Sequence, residues 1–475
     1  MPPETIPFIL AGEKKNLSAT VSTITNPWDN SVVGNVALAT EADANEAVEK
    51  ALLGFQKTKA LASYERADIL SFVSARMKEQ KEEFARLITA EVGKPIQWSR
   101  VEVDRACVTF QLAAEEARRI GGESLPLDMN ASTKNRIGIV RRFPIGIVLC
   151  IAPFNFPLNL VAHKVAPAIA AGNAFILKPP PQAPLTSLKL GELISASGYP
   201  AEAFSILPCT NSVAEKLVMD ERIKMLSFTG SPSVGWQLKS KAGKKKVLLE
   251  LGGNAGVIID KTANIDEAVK KNVIGSFLFA GQVCIKGQRI YVHESVYDIY
   301  RKKFIEASRA VKVGNPSDPE TVMGPLIDNA AAERVSQWVA DAAKQGTTIL
   351  SGGGRKEKVI DPTVLENAPR TANVFCKEIF GPVVTLHKFG TIQEAVAGVN
   401  DSTFGLQAGI FSNDLQNILY AYNHIDVGAV IVNDNPTFRI DSMPYGGIKD
   451  SGFGREGLKY AIEEMTEPKL LVIGS

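Results

Sequence analysis

Between residues 145 and 260 the chain alternates largely apolar runs with stretches of helical period. The runs are IGIVLCIAP at 145–153, AFILK at 174–178, FSILP at 204–208, KMLSFTG at 224–230 and KVLLELGG at 246–253. Continuous apolar character marks strands covered on both faces. Helices are expected after Pro157, from about Leu185 to Gly198, in a short stretch after FSILP, and after Ser231. Such alternation implies a parallel sheet. A second alternating half spans about 254–435. Its strands are GVIID, RIYVH, TTIL, VVTLHKF, AGIFS and GAVIVND, with helices at 264–278, 296–309 and 328–345 among them. The fold class is therefore α/β.

The flanks differ. Residues 1–40 read as short strands and turns, with Pro27 and Asp29-Asn30 marking a turn. Two strong helices follow, capped by Thr40 and Ser63. The second carries Ile69, Leu70, Val73, Met77, Phe84, Leu87 and Ile88 near helical period, and Gly93 and Pro95 stop it. A third covers about 99–119. Residues 125–144, LPLDMNASTKNRIGIVRRFP, change to extended segments around a polar turn, a hairpin standing apart from the main sheet. The chain closes with a glycine-rich loop at 444–457, a helix, and the apolar strand KLLVIG.

Composition narrows the function. A length of 475 residues suggests two or three domains. A net charge of +2 gives no case for nucleic acid or an anionic membrane. No run approaches the ~20 apolar residues of a membrane helix, and the N-terminus lacks the form of a secretory signal. Cysteines stand at 107, 150, 209, 284 and 376, odd in number and without CxxC spacing. That pattern argues against a disulfide framework or a metal site and fits the reduced cytoplasm.

Candidate chemistry gathers on three stretches. Cys284 lies in FAGQVCIKGQRI, in a connection where Gly281 lets the backbone turn. It reads either as a small buried hydrophobe or as a nucleophile, whose ordinary pKa of ~8.5 nearby cations or donors would lower. Glu250 ends an apolar strand, where a carboxylate is either ion-paired or a general base, and Gly252-Gly253 leave room for a ligand beside it. Asn155 follows a strand and reads as a helix cap or as an amide donor to an oxyanion. FTGSPSVG at 228–235 is a tight turn into a helix, or a seat for phosphate.

Taken in order, PFNFP, KPPPQAPL, FTGS with Gly235 beyond it, ELGG, GQVC, KEIFGP and PYGGIKDSG resemble the aldehyde dehydrogenase superfamily over nearly the whole chain. The resemblance implies a Rossmann-like cofactor domain at 1–124 and 145–252 and an α/β catalytic domain at 253–435. A projecting β-hairpin oligomerisation element would comprise 125–144 and 458–475. It implies Cys284 as nucleophile, Asn155 with the Cys284 N–H as oxyanion hole, and Glu250 as the base that activates water on a thioester. Hydride passes to NAD or NADP, held by Lys178, Pro181, Phe154, Gly230, Ser231, Gly252, Glu378 and Phe380. Many relatives carry tryptophan where Phe154 stands. The presence of Glu250 favours a free acid as product. A thiol hydrolase and an inactive binding homologue are the rival classes. The first lacks a supported histidine among the four present, and intact Cys284, Glu250 and Asn155 oppose the second.

The expected substrate is a short polar aldehyde such as lactaldehyde or glyceraldehyde, because NDNPTFRIDSMPYGG is similar to that segment of such dehydrogenases. Alternatives are glyceraldehyde 3-phosphate, oxidised without phosphorylation, and a semialdehyde. Arg105, Phe156, Val283 and Arg439 are the expected pocket residues. Both arginines resemble phosphate holders, or else serve ordinary ion pairs. Val283 and Phe156 depart from the phosphate-binding pattern. Pro181 replaces a glutamate that would repel a 2′-phosphate, so NADP is accepted alongside NAD. Otherwise the three prolines only stiffen the turn. An unpaired edge at KLLVIG is expected to pair with another subunit's hairpin, giving a homodimer or homotetramer.

Overall fold

The computed structural model describes residues 5–15 and 20–474. Strands Ile147–Ile151, Ala174–Lys178, Phe204–Ile206, Ile223–Thr229 and Lys246–Glu250 form the parallel centre of an eight-stranded sheet. Every residue of the first two is buried, which is why they read as unbroken apolar runs. Short antiparallel strands finish both edges. Phe8–Leu10 and Glu13–Lys15 lie on one side, and Gly452–Phe453 pairs with Leu249 and Glu250 on the other. That last pairing brings the glycine-rich loop onto the carboxylate end of its neighbour.

The second sheet has seven strands, with Gly287–His293 and Ala255–Ile259 central and parallel. Thr348–Ser351 is an antiparallel edge against Thr363–Glu366, a strand whose sequence carries no distinctive period. The two sheets keep separate apolar cores. The chain leaves the first at Glu250 and enters the second at Ala255, so Gly252-Gly253 form the crossing.

Of the two caps expected from the sequence, Thr40 holds and Ser63 does not. Thr40 Oγ1 accepts from Asp43 N at 3.2 Å, while Asp43 Oδ2 accepts from Thr40 N at 2.8 Å. Ser63, expected as a cap, is instead the first helical residue. Ala62 stands at the cap, and Glu65 Oε2 accepts from its N–H at 2.7 Å. The long helix expected to run to Gly93 breaks at Gln80 into Ser63–Glu79 and Lys81–Val92. Between Met77 and Phe84 every residue is polar and none is buried, so no core contact holds the axis straight there. The third helix runs Ile96–Ala117.

The hairpin comprises Gly122–Pro126 and Arg136–Pro144. Its partner corrects the expectation drawn from the edge argument. Thr466–Gly474 pairs antiparallel with Arg136–Pro144 of the same chain, in register from Thr466↔Pro144 to Gly474↔Arg136. Nine residue pairs within one chain are satisfied without a second copy. Leu470, Leu471, Val472 and Ile473 nonetheless remain about half exposed on this three-stranded sheet. No helix among the described residues is long and apolar enough to cross a membrane.

Candidate active site

Three connections converge between the sheets. The first follows strand Ile147–Ile151 and carries Phe154, Asn155 and Phe156 into helix Asn159–Ala171. Glu102 fixes its exit by accepting from the N–H groups of Leu158 at 2.9 Å and Asn159 at 3.1 Å. The same buried carboxylate pairs with Lys94. Burial brings the Lys94 ammonium down to about 8. It lies 3.7 Å from the Phe156 ring centroid and 4.8 Å from that of Phe279.

The second connection carries the thiol. Phe279, Ala280 and Gly281 all adopt positive φ, at 49°, 54° and 67°. Three successive left-handed residues are costly for L-amino acids and reverse the chain within one turn. A Cβ on Gly281 would stand 2.4 Å from the Gly381 carbonyl oxygen. That carbonyl is itself held by Lys286 Nζ at 2.9 Å, which also donates to Val383 O at 2.6 Å. Burial brings the Lys286 ammonium down to about 7. Asn155 Nδ2 donates to Gln282 O at 3.0 Å, so the first two connections are tied together. An amide has two N–H bonds, and Gln282 O takes one of them. Val283 is buried against Ile285, Leu406 and Tyr445.

Cys284 Sγ lies 3.3 Å from Tyr445 Oη. Burial pushes the thiol up to about 11. The Tyr445 hydroxyl and Arg439 favour the thiolate, while Glu378 and Glu250 oppose it. Glu250 is buried, and neither of its oxygens has a hydrogen-bond partner. Burial and then the nearby Glu456 charge hold it well above the ordinary carboxylate range. Glu456 pairs with Lys164 at 3.0 Å and Arg439 at 3.1 Å. Burial works against its charge, but those cations and His163 keep it ionised.

The third connection, 377–382, meets Gly252-Gly253. Glu378 Oε1 accepts from Gly253 N at 2.9 Å, and a Cβ on Gly252 would stand 2.4 Å from Glu378 Oε2. Burial pushes Glu378 up to about 7. Phe380, at φ 44°, meets Phe154 edge-on at 6.1 Å.

These residues fit a dinucleotide. Lys178 ends a buried strand, its ammonium lowered by burial. Beside it, Pro179, Pro181, Pro184, Pro208 and Thr210 line a cavity of about 230 Å³. Gly230 N donates to Glu250 O at 3.0 Å. Exposed Ser231 stands at the start of helix Pro232–Lys241 with no side-chain cap bond, which leaves that N-terminus open to phosphate. Glu378 lies where Gly252 has no side chain to fend it off.

A thiol, an unpartnered buried carboxylate and an amide donor thus stand on converging connections beside this cradle, and a model of the aldehyde dehydrogenase family matches residues 14–471. The chain belongs to the aldehyde dehydrogenase family. It is 43% identical to 3-sulfolactaldehyde dehydrogenase of Priestia megaterium over 95% of this chain and 94% of that one. The crystal structure of aldehyde dehydrogenase 21 from Physcomitrella patens, in complex with the reaction product succinate, is similar at TM-score 0.98 and 45% identity. That match covers 100% of this chain and 99% of that one. Glyceraldehyde-3-phosphate dehydrogenase from Methanocaldococcus jannaschii, complexed with NADP, is similar at TM-score 0.92 and 38% identity, over 96% and 99%.

The two expected anchors of the dehydrogenase are both engaged internally. Arg105 donates to Asp441 at 2.7 and 3.3 Å, and His163 Nε2 reaches the same carboxylate at 2.7 Å. Arg439 stacks 3.5 Å over the Tyr445 ring, and its Nε has no partner. Sequence reasoning missed Tyr445, Glu456, Lys164, His163, Asp441, Lys94 and Lys286. His163 and Lys164 were signalled, as two polar residues inside the apolar run NLVAHKVAPAIAA. Tyr445 carried no such signal.

Proposed function

We propose that this dehydrogenase oxidises a short aldehyde bearing an anionic group at its far end to the free acid, with NADP or NAD. The Cys284 thiolate adds to the carbonyl carbon, and the second N–H of Asn155 with the Cys284 N–H holds the oxyanion. Lys178, Ser231 and Glu378 would hold NAD(P), which would supply the hydride acceptor. Glu250 then takes a proton from the water that attacks the thioester, and the thiolate leaves. A buried carboxylate without hydrogen-bond partners is suited to that step, because nothing competes for its lone pairs.

The observation that carries the substrate class is Arg439. It is buried beside Tyr445, which touches the thiol, and its Nε is a donor without an acceptor. Relatives named for 3-sulfolactaldehyde, or holding succinate, support the same class. A second reading, a neutral hydroxyaldehyde such as lactaldehyde, is favoured by the carboxylates that already neutralise both arginines. The test compares kcat/KM for carboxylated, sulfonated and neutral aldehydes in wild type and Arg439→Ala. Selective loss on the anionic aldehydes is expected. Equal loss on all of them would leave Arg439 a structural role only.

We assign 1–124 and 145–252 to the cofactor and 253–435 to catalysis. The exposed apolar strip at 470–473 supports association with a second copy, as a homodimer or homotetramer. Five free cysteines support a cytoplasmic setting.

A further inference from the structure

Tyr445 is the one hydroxyl bonded to the thiol among the described residues, and its position is fixed from three sides. Its backbone exchanges two hydrogen bonds with Glu456, Tyr445 N to Glu456 O at 3.0 Å and Glu456 N to Tyr445 O at 2.6 Å. The Arg439 guanidinium covers its ring at 3.5 Å while pairing with the Glu456 carboxylate at 3.1 Å. Val283, Ile285 and Leu406 pack around it. The ring has little freedom, and its hydroxyl points at Sγ.

We propose that Tyr445 is a catalytic residue whose O–H donates a hydrogen bond to the Cys284 thiolate and so sustains the nucleophile before attack. This deepens the reading of Cys284 as nucleophile and rests on it. In the resting thiol the S–H bond is intact. On activation that bond breaks, its proton leaves to a solvent base, and the electron pair stays on sulfur. Tyr445 keeps its own proton throughout. Once Sγ bonds to the carbonyl carbon its negative charge is gone, and the hydrogen bond weakens without blocking the step.

The surroundings make such a donor necessary. The charged and titratable groups facing the thiol are Tyr445 and Arg439 from the 433–447 segment, Glu250 from the strand end, and Glu378 from the third connection. Burial and both carboxylates oppose the thiolate. Arg439 acts from behind the Tyr445 ring, already paired with Glu456. The tyrosine hydroxyl is therefore the direct stabiliser, at 3.3 Å.

The test is the pH dependence of iodoacetamide alkylation of Cys284, read by peptide mass spectrometry so that Cys376 is counted separately. Tyr445→Phe is expected to raise the alkylation midpoint by about one pH unit, a tenfold loss of thiolate at a given pH below it. kcat/KM should fall near neutrality and recover in alkali. An unchanged midpoint, or an equal fall in rate at every pH, would overturn the proposal. Placing 3-fluorotyrosine at 445 supplies a second variant of nearly the same shape. Its more acidic hydroxyl should lower the midpoint, and a midpoint that stays put would again count against the idea. Alkylation needs no turnover, so this result is separate from the reading of Cys284 itself, which fails if Cys284→Ala keeps its dehydrogenase activity.

Discussion

Replacing Gly281 by alanine tests whether the strained turn before the thiol is a fixed support. The native φ of 67° costs an alanine about 1–2 kcal/mol relative to ordinary helical backbone. Loss of glycine's freedom in the unfolded chain offsets about 0.4–1 kcal/mol of that. The larger effect is steric. The new methyl would stand 2.4 Å from the Gly381 carbonyl oxygen and 2.9 Å from Lys286 Cδ. Backbone held by a buried ammonium gives way poorly, and overpacking of this kind costs about 1–3 kcal/mol. The expected total is roughly 1–5 kcal/mol, seen as a lower urea midpoint. A shift of the Cys284 connection should also lower kcat by about tenfold or more. A companion variant, Lys286→Met, frees the Gly381 carbonyl, so the double variant should lose less stability than the two single changes added together. Gly281→Ala with wild-type midpoint and kcat would refute the reasoning.

Two further outcomes are expected. Pro181→Glu should shift the kcat/KM preference towards NAD, mainly by weakening NADP, because a carboxylate would then face the 2′-phosphate beside Lys178. A wild type that strongly prefers NAD, with no change in the variant, would remove Pro181 from that choice. Glu378, pushed up to about 7 by burial, is neutral in the free enzyme below that pH and ionised above it. An ionised carboxylate accepts ribose hydroxyls better, so kcat/KM for the cofactor should rise through about pH 7. Glu378→Gln should flatten that rise, and an unchanged profile would detach it from Glu378.

The parallel strands were legible because burial on both faces leaves an unbroken apolar signature, as in Ile147–Ile151 and Ala174–Lys178. Two short strands were not. Thr363–Glu366 and Gly452–Phe453 owe their state to neighbours distant in sequence. The final strand was legible as a strand, but its partner was not, since the edge argument sees only an unmet ladder. At the site, Cys284, Glu250 and Asn155 stood out within motifs. The electrostatic frame around them did not. Asp441 meets Arg105 across 336 positions, and Glu456 meets Lys164 across 292, separations that no local pattern encodes. Arg439 shows the limit most sharply. Its charge is visible in the sequence, while its stacking on Tyr445 and pairing with Glu456 belong to the folded loop alone.

The late arrival of the glycine-rich loop has a consequence for synthesis. Glu250 emerges from the ribosome about midway, yet Ser451 O accepts from Leu251 N, Gly452 pairs with Glu250, and Glu456 holds the adjoining cations. The hairpin strand Arg136–Pro144 waits longer still for Thr466–Gly474. At ~5–20 residues per second, the wait for that last strand is roughly 15–60 s. Throughout it the nascent chain carries an open sheet edge, and for the stretch between residues 250 and 452 Glu250 also lacks its neighbouring strand. A chaperone has its longest opportunity there, and a ribosome-stalled fragment that stops short of residue 451 would be catalytically silent, however well its thiol connection had formed.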